Sequence, residues 1–355
     1  MHTLPRTDNL EFGAFKTLKL KDSEYLFFGG TAYLSLQNHS DFLQHFQEGL
    51  RLFGLNNGTS RTNNVQLGLY KEAETQLANH FGFEDSILLS SGYLAAQLAI
   101  RKLSANYTVL YSPGAHPALW LEESSTLPKM NFQDWVDETV KFINESEEQN
   151  FLIVSNTVDN VLPEFYNFSE FSKVSDNKNL HFLLDDSHGI GVLVYNQIAS
   201  LENLPKRQNF EYTLVASLAK GMGIDAGIIL GSFENLENLR KSGFYVGASP
   251  SSPAFIYTLQ KAGAIYKQQQ ELLQKNIEYF SQNLNGDWQF VDKFPVFVYK
   301  NQPIYNDLVE RGIIISSFAY PNPNDPPLDR IVISAHHNQK DLDTLIKALK
   351  EIKAL

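Results

Sequence analysis

Phe182-Leu-Leu-Asp-Asp-Ser-His-Gly-Ile-Gly191 and Ser217-Leu-Ala-Lys-Gly-Met-Gly223 decide how this chain is read. In the first, an apolar run stops at Asp185, Asp186 and His188 and then turns on two glycines. In the second, the run Tyr212 to Ala216 stops at a hydroxyl, Ser217, and a lysine, Lys220, again followed by glycines. Short, uninterrupted apolar runs mark strands buried on both faces, as in a parallel sheet. Open α/β sheets bind ligands beyond the C-terminal ends of such strands. An acid, a histidine and a lysine are therefore expected at one edge of a sheet.

That set suits pyridoxal 5'-phosphate. A lysine forms an imine with the cofactor's aldehyde, and a desolvated setting keeps its amine neutral enough to attack. A carboxylate such as Asp185 holds the proton on the pyridine nitrogen, and His188 can bond the phenolic oxygen. Each piece has a plainer reading: a surface lysine in a glycine loop, a capping aspartate, a surface histidine. Asp-Asp-x-His also offers metal-ligand chemistry, although no His-x-His or further acid cluster accompanies it.

Working outward, strands and helices alternate. Phe42, Leu43, Phe46, Leu50 and Phe53 have helical spacing, and a second helix is expected from about Leu69 to Phe81. Expected strands are Ser86–Ser90, Tyr107–Tyr111, Phe151–Val154, the two runs above, and Gly227–Leu230. Ser91-Gly92-Tyr93 follows a strand and opens a helix, so its free N–H groups suit a phosphate. Alone, it is equally an ordinary N-cap. His116 follows Pro113-Gly114 on an expected helix, where an imidazole can stack on a planar ring. A helix is expected near Phe168–Val174, and one long helix over Pro253–Leu284. Beyond it the pattern reads strand (294–299), helix (304–311), strand (313–318), a proline-rich loop (321–327), strand (330–334) and helix (342–352). Arg330 opens the last strand, and a guanidinium there can hold a carboxylate in a bidentate fork. His336-His337 lacks metal-ligand spacing and reads as structural.

Composition narrows the classes. The 355 residues are 43% hydrophobic and 19% charged, as in an ordinary globular protein. A formal net charge of -11 argues against nucleic-acid binding, which favours a basic face. Without cysteine there is no disulfide, thiolate metal site or cysteine nucleophile. Met1-His-Thr-Leu-Pro-Arg6 has no apolar segment of the secretory kind, and no apolar run approaches a membrane span. A cytoplasmic protein with no membrane partner is expected.

In order and spacing, from about Tyr25 to the C-terminus, these pieces resemble the α-oxoamine synthases, fold-type-I pyridoxal-phosphate (PLP) enzymes. Gly58-Thr-Ser-Arg61 with Tyr70-Lys-Glu-Ala-Glu74 resembles the family's Gly-Ser-Arg…His-x-x-Leu-Glu stretch. Ser91-Gly-Tyr-Leu-Ala-Ala96 resembles its phosphate loop, and His116 falls on the histidine that stacks over the cofactor ring. Asp185-Asp-Ser-His188-Gly-Ile-Gly191 and Ser217-Leu-Ala-Lys220-Gly resemble its acid–histidine and Schiff-base motifs. Ser249, in Gly247-Ala-Ser-Pro, takes the place of the hydroxyl that reaches a partner subunit's phosphate. Arg330-Ile-Val-Ile-Ser-Ala-His-His falls on the stretch whose arginine holds the amino-acid carboxylate.

The resemblance implies an α/β fold-type-I PLP transferase: a mostly parallel central sheet between helices plus a small α+β C-terminal domain. The expected boundaries are an N-terminal arm at 1–44, a large cofactor domain at 45–267 and a small domain at 268–355. It implies Lys220, His116, Asp185 and His188 as catalytic residues. It adds Ser91, Gly92, Tyr93, Ser217 and Ser249 around the cofactor, and Arg330 and Tyr33 around the substrate. The implied reaction condenses an amino acid with an acyl-CoA to an α-amino ketone in a homodimer with shared sites. The alternatives are an aminotransferase or other carbanion chemistry on an amino acid, and a relic that binds cofactor without turnover. The chain departs from the family in Thr31-Ala-Tyr-Leu-Ser-Leu36, Val65, Tyr70 and Ala96. It departs most in the shortened Ser155-Asn-Thr-Val-Asp-Asn-Val-Leu-Pro163, which lacks a glutamate and a serine near the cofactor.

Overall fold

The computed structural model describes residues 10, 13–20, 23–122, 126–159, 161–196, 198–319 and 325–354. The first six residues and most of the proline-rich loop lie outside the described residues. Two compact units form: one from 40–159 and 164–266, the other from the described parts of 1–39, 160–163 and 267–355.

The larger unit holds a six-stranded sheet. Its strands are β1 (Asp85–Leu89), β2 (Thr108–Tyr111), β3 (Asn150–Asn156), β4 (Asn179–Asp185), β5 (Phe210–Ser217) and β6 (Gly227–Gly231), in the order β1-β6-β5-β4-β3-β2. The pairs β2–β3, β3–β4 and β4–β5 are parallel, as the continuous apolar runs predict. β6 runs antiparallel to both neighbours, because the connection 218–226 is too short for the crossover a parallel strand requires.

Alternate residues of each strand feed opposite faces. Leu152, Leu183 and Val215 pack with the helix Gly92–Leu103 in one core. Phe151, Ile153, Phe182 and Leu184 pack with the helix Phe132–Glu145 in another. That two-sided burial is why these strands read as unbroken apolar runs. Each such side chain contributes about 1.5–3 kcal/mol on burial.

The helix Phe132–Glu145 was not among the expected elements, although Phe132, Trp135, Val136, Val140 and Ile143 carry its apolar stripe and Asn131 caps it. Two further expectations are corrected. His116 is not on a helix: it is the N-cap of the short 3-10 turn Pro117–Leu119, its Nδ1 accepting from the Ala118 N–H at 3.1 Å. The expected long helix is two, Pro253–Lys261 and Gly263–Gln282, interrupted at Ala262. Beside that break the Tyr195 hydroxyl donates to the Gly263 carbonyl at 2.9 Å.

The smaller unit has its own six-stranded sheet, in the order Thr17–Leu20, Ser23–Phe28, Ile313–Ala319, Pro327–Val332, Val296–Tyr299, Trp288–Gln289. The stretch read as an N-terminal arm supplies its first two strands, and Ser23–Phe28 pairs parallel with Ile313–Ala319. The helix Gln339–Glu351 starts at a reciprocal capping box of Asn338 and Asp341.

Candidate active site

Four elements of the larger unit converge at the C-terminal edge of its parallel strands. β4 ends at Asp185 and β5 ends at Ser217, with Lys220 in the turn that follows. Asn156, the last residue of β3, is the register partner of Asp185. The helix Gly92–Leu103 starts beside Ser217: a Cβ on Gly92 would lie 2.5 Å from the Ser217 Cβ and 2.6 Å from its Cα. Only glycine permits that approach.

The stretches 182–191 and 217–223 are bonded to each other. The Ser187 N–H donates to Asp185 Oδ1 at 2.9 Å, and the Ser217 N–H donates to Ser187 Oγ at 2.8 Å. Their glycine turns interlock. Gly191 has φ +72 and leaves no room for a Cβ against the Met222 sulfur, while Gly221 packs against the Ile190 carbonyl. The paired glycines after each strand are thus one packing feature, and it sets the height of Lys220 relative to Asp185.

His116 joins this group electrically. The residue is solvent-exposed, yet its pKa lies below the ordinary histidine value. Desolvation is the main cause; nearby Lys220 adds to it and Asp185 opposes it. Because Nδ1 accepts from Ala118, the ring is the neutral tautomer with its proton on Nε2. His116, Asp185 and Lys220 therefore share one neighbourhood. His188 lies half-buried in the same turn as Asp185, where the Gly189 and Ile190 N–H groups bond the Asp186 carbonyl.

Ser91 caps its helix, with Oγ accepting from Leu94 at 3.2 Å, so the plain reading of Ser-Gly holds for that oxygen. The helix start is nonetheless a ready anion site, with the Ser217 side chain alongside. Tyr93 is 64% exposed at the same helix start. Ser249 is not drawn into the group: it lines an open cavity of about 410 Å³ with Asn56–Ser60 and Val246–Pro250. Arg61 is buried in an ion pair with Glu74 at 2.6 Å and donates to the Leu88 carbonyl at 2.7 Å, just upstream of Ser91. Tyr70, where the family has histidine, donates from its hydroxyl to the Ser251 carbonyl at 2.8 Å, and burial pushes its pKa up to about 12.

Arg330 and Tyr33 belong to the smaller unit and are found together there. Arg330 is 4% exposed and lies over the Phe318 ring at 5.5 Å. Tyr33 is fully buried and hydrogen-bonded to Arg330; burial pushes its pKa up to about 12 against the pull of that guanidinium.

Two residues at this edge, Asn156 and Thr157, have no role in the sequence reading, and Asp186 has one only as a metal ligand. Asn156 accepts from the His116 N–H at 3.1 Å and donates to the Gly114 carbonyl at 2.8 Å. Thr157 donates its hydroxyl to Asp186 Oδ1, and its N–H to the Asp185 carbonyl at 3.0 Å. Asp186 is fully buried, and burial pushes its pKa up to about 7; Asp185 adds to the rise, while the Thr157 hydrogen bond opposes it. The strand-end rule that picked out Asp185 and Ser217 applies equally to Asn156 and Thr157.

The donor set fits PLP: an anion site at a helix start, an acid and a lysine at one strand edge, and an imidazole near both. No protein-family model matches the chain. The 8-amino-7-oxononanoate synthase of Aliivibrio fischeri (strain ATCC 700601 / ES114) is 24% identical over 358 residues, 95% of this chain and 91% of that one. The same-named protein of Vibrio parahaemolyticus is 26% identical over 368 residues, 98% and 94% of the two chains. Among solved structures, a serine palmitoyltransferase from S. paucimobilis with bound PLP and myriocin superposes with a TM-score of 0.79 at 16% identity, covering 98% of this chain and 93% of that one. An 8-amino-7-oxononanoate synthase from Francisella tularensis gives 0.70 at 17%, covering 93% and 98%. The fold is that of the fold-type-I PLP enzymes. Over nearly its whole length the chain is similar to proteins named 8-amino-7-oxononanoate synthase.

Proposed function

We propose that this chain is a PLP-dependent C-acyltransferase that condenses an amino acid with an acyl-CoA to an α-amino ketone. The observation that carries the reading is the shared neighbourhood of His116, Asp185 and Lys220 at the edge where Ser217 meets the helix start at Gly92. The bound cofactor supplies an electron sink for charge that develops at the amino acid's α-carbon. The chain's own residues do the rest. Asp185 holds a proton on the ring nitrogen, and the 91–93 amides with Ser217 bind the phosphate. His116 presents its ring face, and His188 offers an imidazole to the phenolic oxygen. Lys220 anchors the cofactor and moves the α-proton. Arg330 and Tyr33 take the substrate carboxylate.

Ser249 completes the phosphate site of a second copy, which makes the active form a homodimer. Among the described residues no helix is long and apolar enough to cross a membrane. We place the enzyme in the cytoplasm, with neither nucleic acid nor membrane as partner.

The test is a visible absorption spectrum with added PLP, wild type beside Lys220→Ala. An amino-acid panel with acyl-CoA follows, read by release of free CoA. The expected result is a band that the substitution removes, and CoA release that needs both substrates. A band with no CoA release, while an amino acid alone converts the cofactor to its amine form, would replace this reading with an aminotransferase. No band in the wild type would end the enzyme reading.

A further inference from the structure

His116 sits in the loop Ser112–His116, which has no regular structure of its own. A loop residue holds a ring at fixed height only if something ties it down. Two tethers are present. One is internal: the ring's Nδ1 caps the following turn through Ala118. The other comes from Asn156, whose carboxamide bonds the loop at two points, accepting from the His116 N–H at 3.1 Å and donating to the Gly114 carbonyl at 2.8 Å. The partners fix the amide's orientation, since an N–H requires its oxygen and a carbonyl its nitrogen.

Asn156 is also the register partner of Asp185 on the adjacent parallel strand. The strand edge that displays the acid therefore sets the height of the imidazole. We propose that Asn156 is a positioning residue, which fixes the His116 ring relative to Asp185 through this two-point clamp. The inference rests on the PLP reading and deepens it. Asparagine suits the task for a stated reason: a carboxylate could accept from His116 but could not donate to Gly114, and it would set a second charge beside Asp185. The shortened stretch 155–163, which lacks the family's glutamate, thus carries a neutral clamp made from its own residue.

The experiment combines amide hydrogen exchange at His116 in the apo protein with PLP titration of the wild type, Asn156→Ala and Asn156→Asp. The wild type should protect the His116 amide. Asn156→Ala should exchange it at least about tenfold faster and weaken PLP about tenfold, the size of one to two lost hydrogen bonds. Asn156→Asp keeps the acceptor, so the amide should stay slow while PLP still weakens. A merely structural asparagine would not separate the two variants at one amide. Exchange and PLP affinity within twofold of wild type in Asn156→Ala would overturn the proposal. So would a fast-exchanging His116 amide in the wild type, which needs no variant to fold. The two failures are distinct: no PLP band in the wild type removes the functional reading and His116's role with it. A normal wild-type band with an unchanged Asn156→Ala removes Asn156 alone.

Discussion

Asp186 makes the stability of this protein depend on pH, in a direction opposite to an ordinary paired carboxylate. It is fully buried, and burial pushes its pKa from 3.8 to about 7. Its Oδ1 accepts from Thr157, its Oδ2 has no hydrogen-bond partner among the described residues, and Gly189 packs against the carboxyl so closely that a Cβ would lie 2.3 Å from Oδ1. In the folded chain the group is a neutral acid up to about pH 7; unfolded, it ionises near 3.8. Between those values the folded state holds the extra proton, so its contribution is complete below pH 3.8 and lost as pH rises to about 7. At about 1.4 kcal/mol per unit over about three units, the swing is on the order of 4 kcal/mol.

The perturbation is Asp186→Asn, a neutral side chain of the same shape. The assay is urea unfolding of apo protein at pH 4 to 8, both proteins at one concentration. The amide leaves its own buried N–H groups to satisfy, a pH-independent offset of about 1–3 kcal/mol. The quantity to read is therefore the change in the difference with pH. The variant should gain on the wild type by about 3–4 kcal/mol between pH 4 and 7 and then level off. Parallel curves, within about 0.5 kcal/mol, would refute a buried neutral acid at this position. On the proposed PLP reading, a neutral Asp186 leaves Asp185 as the carboxylate offered to the ring nitrogen.

Two further outcomes follow from the geometry. Gly92→Ala places a Cβ 2.6 Å from the Ser217 Cα, and neither backbone can yield cheaply. PLP affinity should fall at least about tenfold, with a loss of about 1–3 kcal/mol in unfolding stability, read by spectral titration and urea melts. Arg330→Lys keeps the charge but loses the planar fork that Tyr33 bonds. KM for the amino acid should rise about tenfold or more while PLP affinity holds, and an unchanged KM would remove Arg330 from the substrate site.

The sequence by itself determined the sheet and one edge of it. β4 and β5 are buried on both faces, so their apolar runs are unbroken and their ends are legible as the points where Asp185 and Ser217 appear. Glycine after each run was legible too, because Gly191 and Gly221 answer to close contacts that admit no side chain. The amphipathic helix Phe132–Glu145 was equally written in the chain and simply passed over. What only the tertiary structure decided lies where residues distant in sequence meet. Asn156 clamps a loop some forty residues upstream. Burial, working against the Thr157 hydrogen bond, sets the state of Asp186. Tyr33 and Arg330 pair across most of the chain's length. Periodicity and strand-end position are local signals of one element packing on its neighbours. A hydrogen-bond partner or a desolvation cost depends on which elements the fold brings side by side, and no local pattern encodes that.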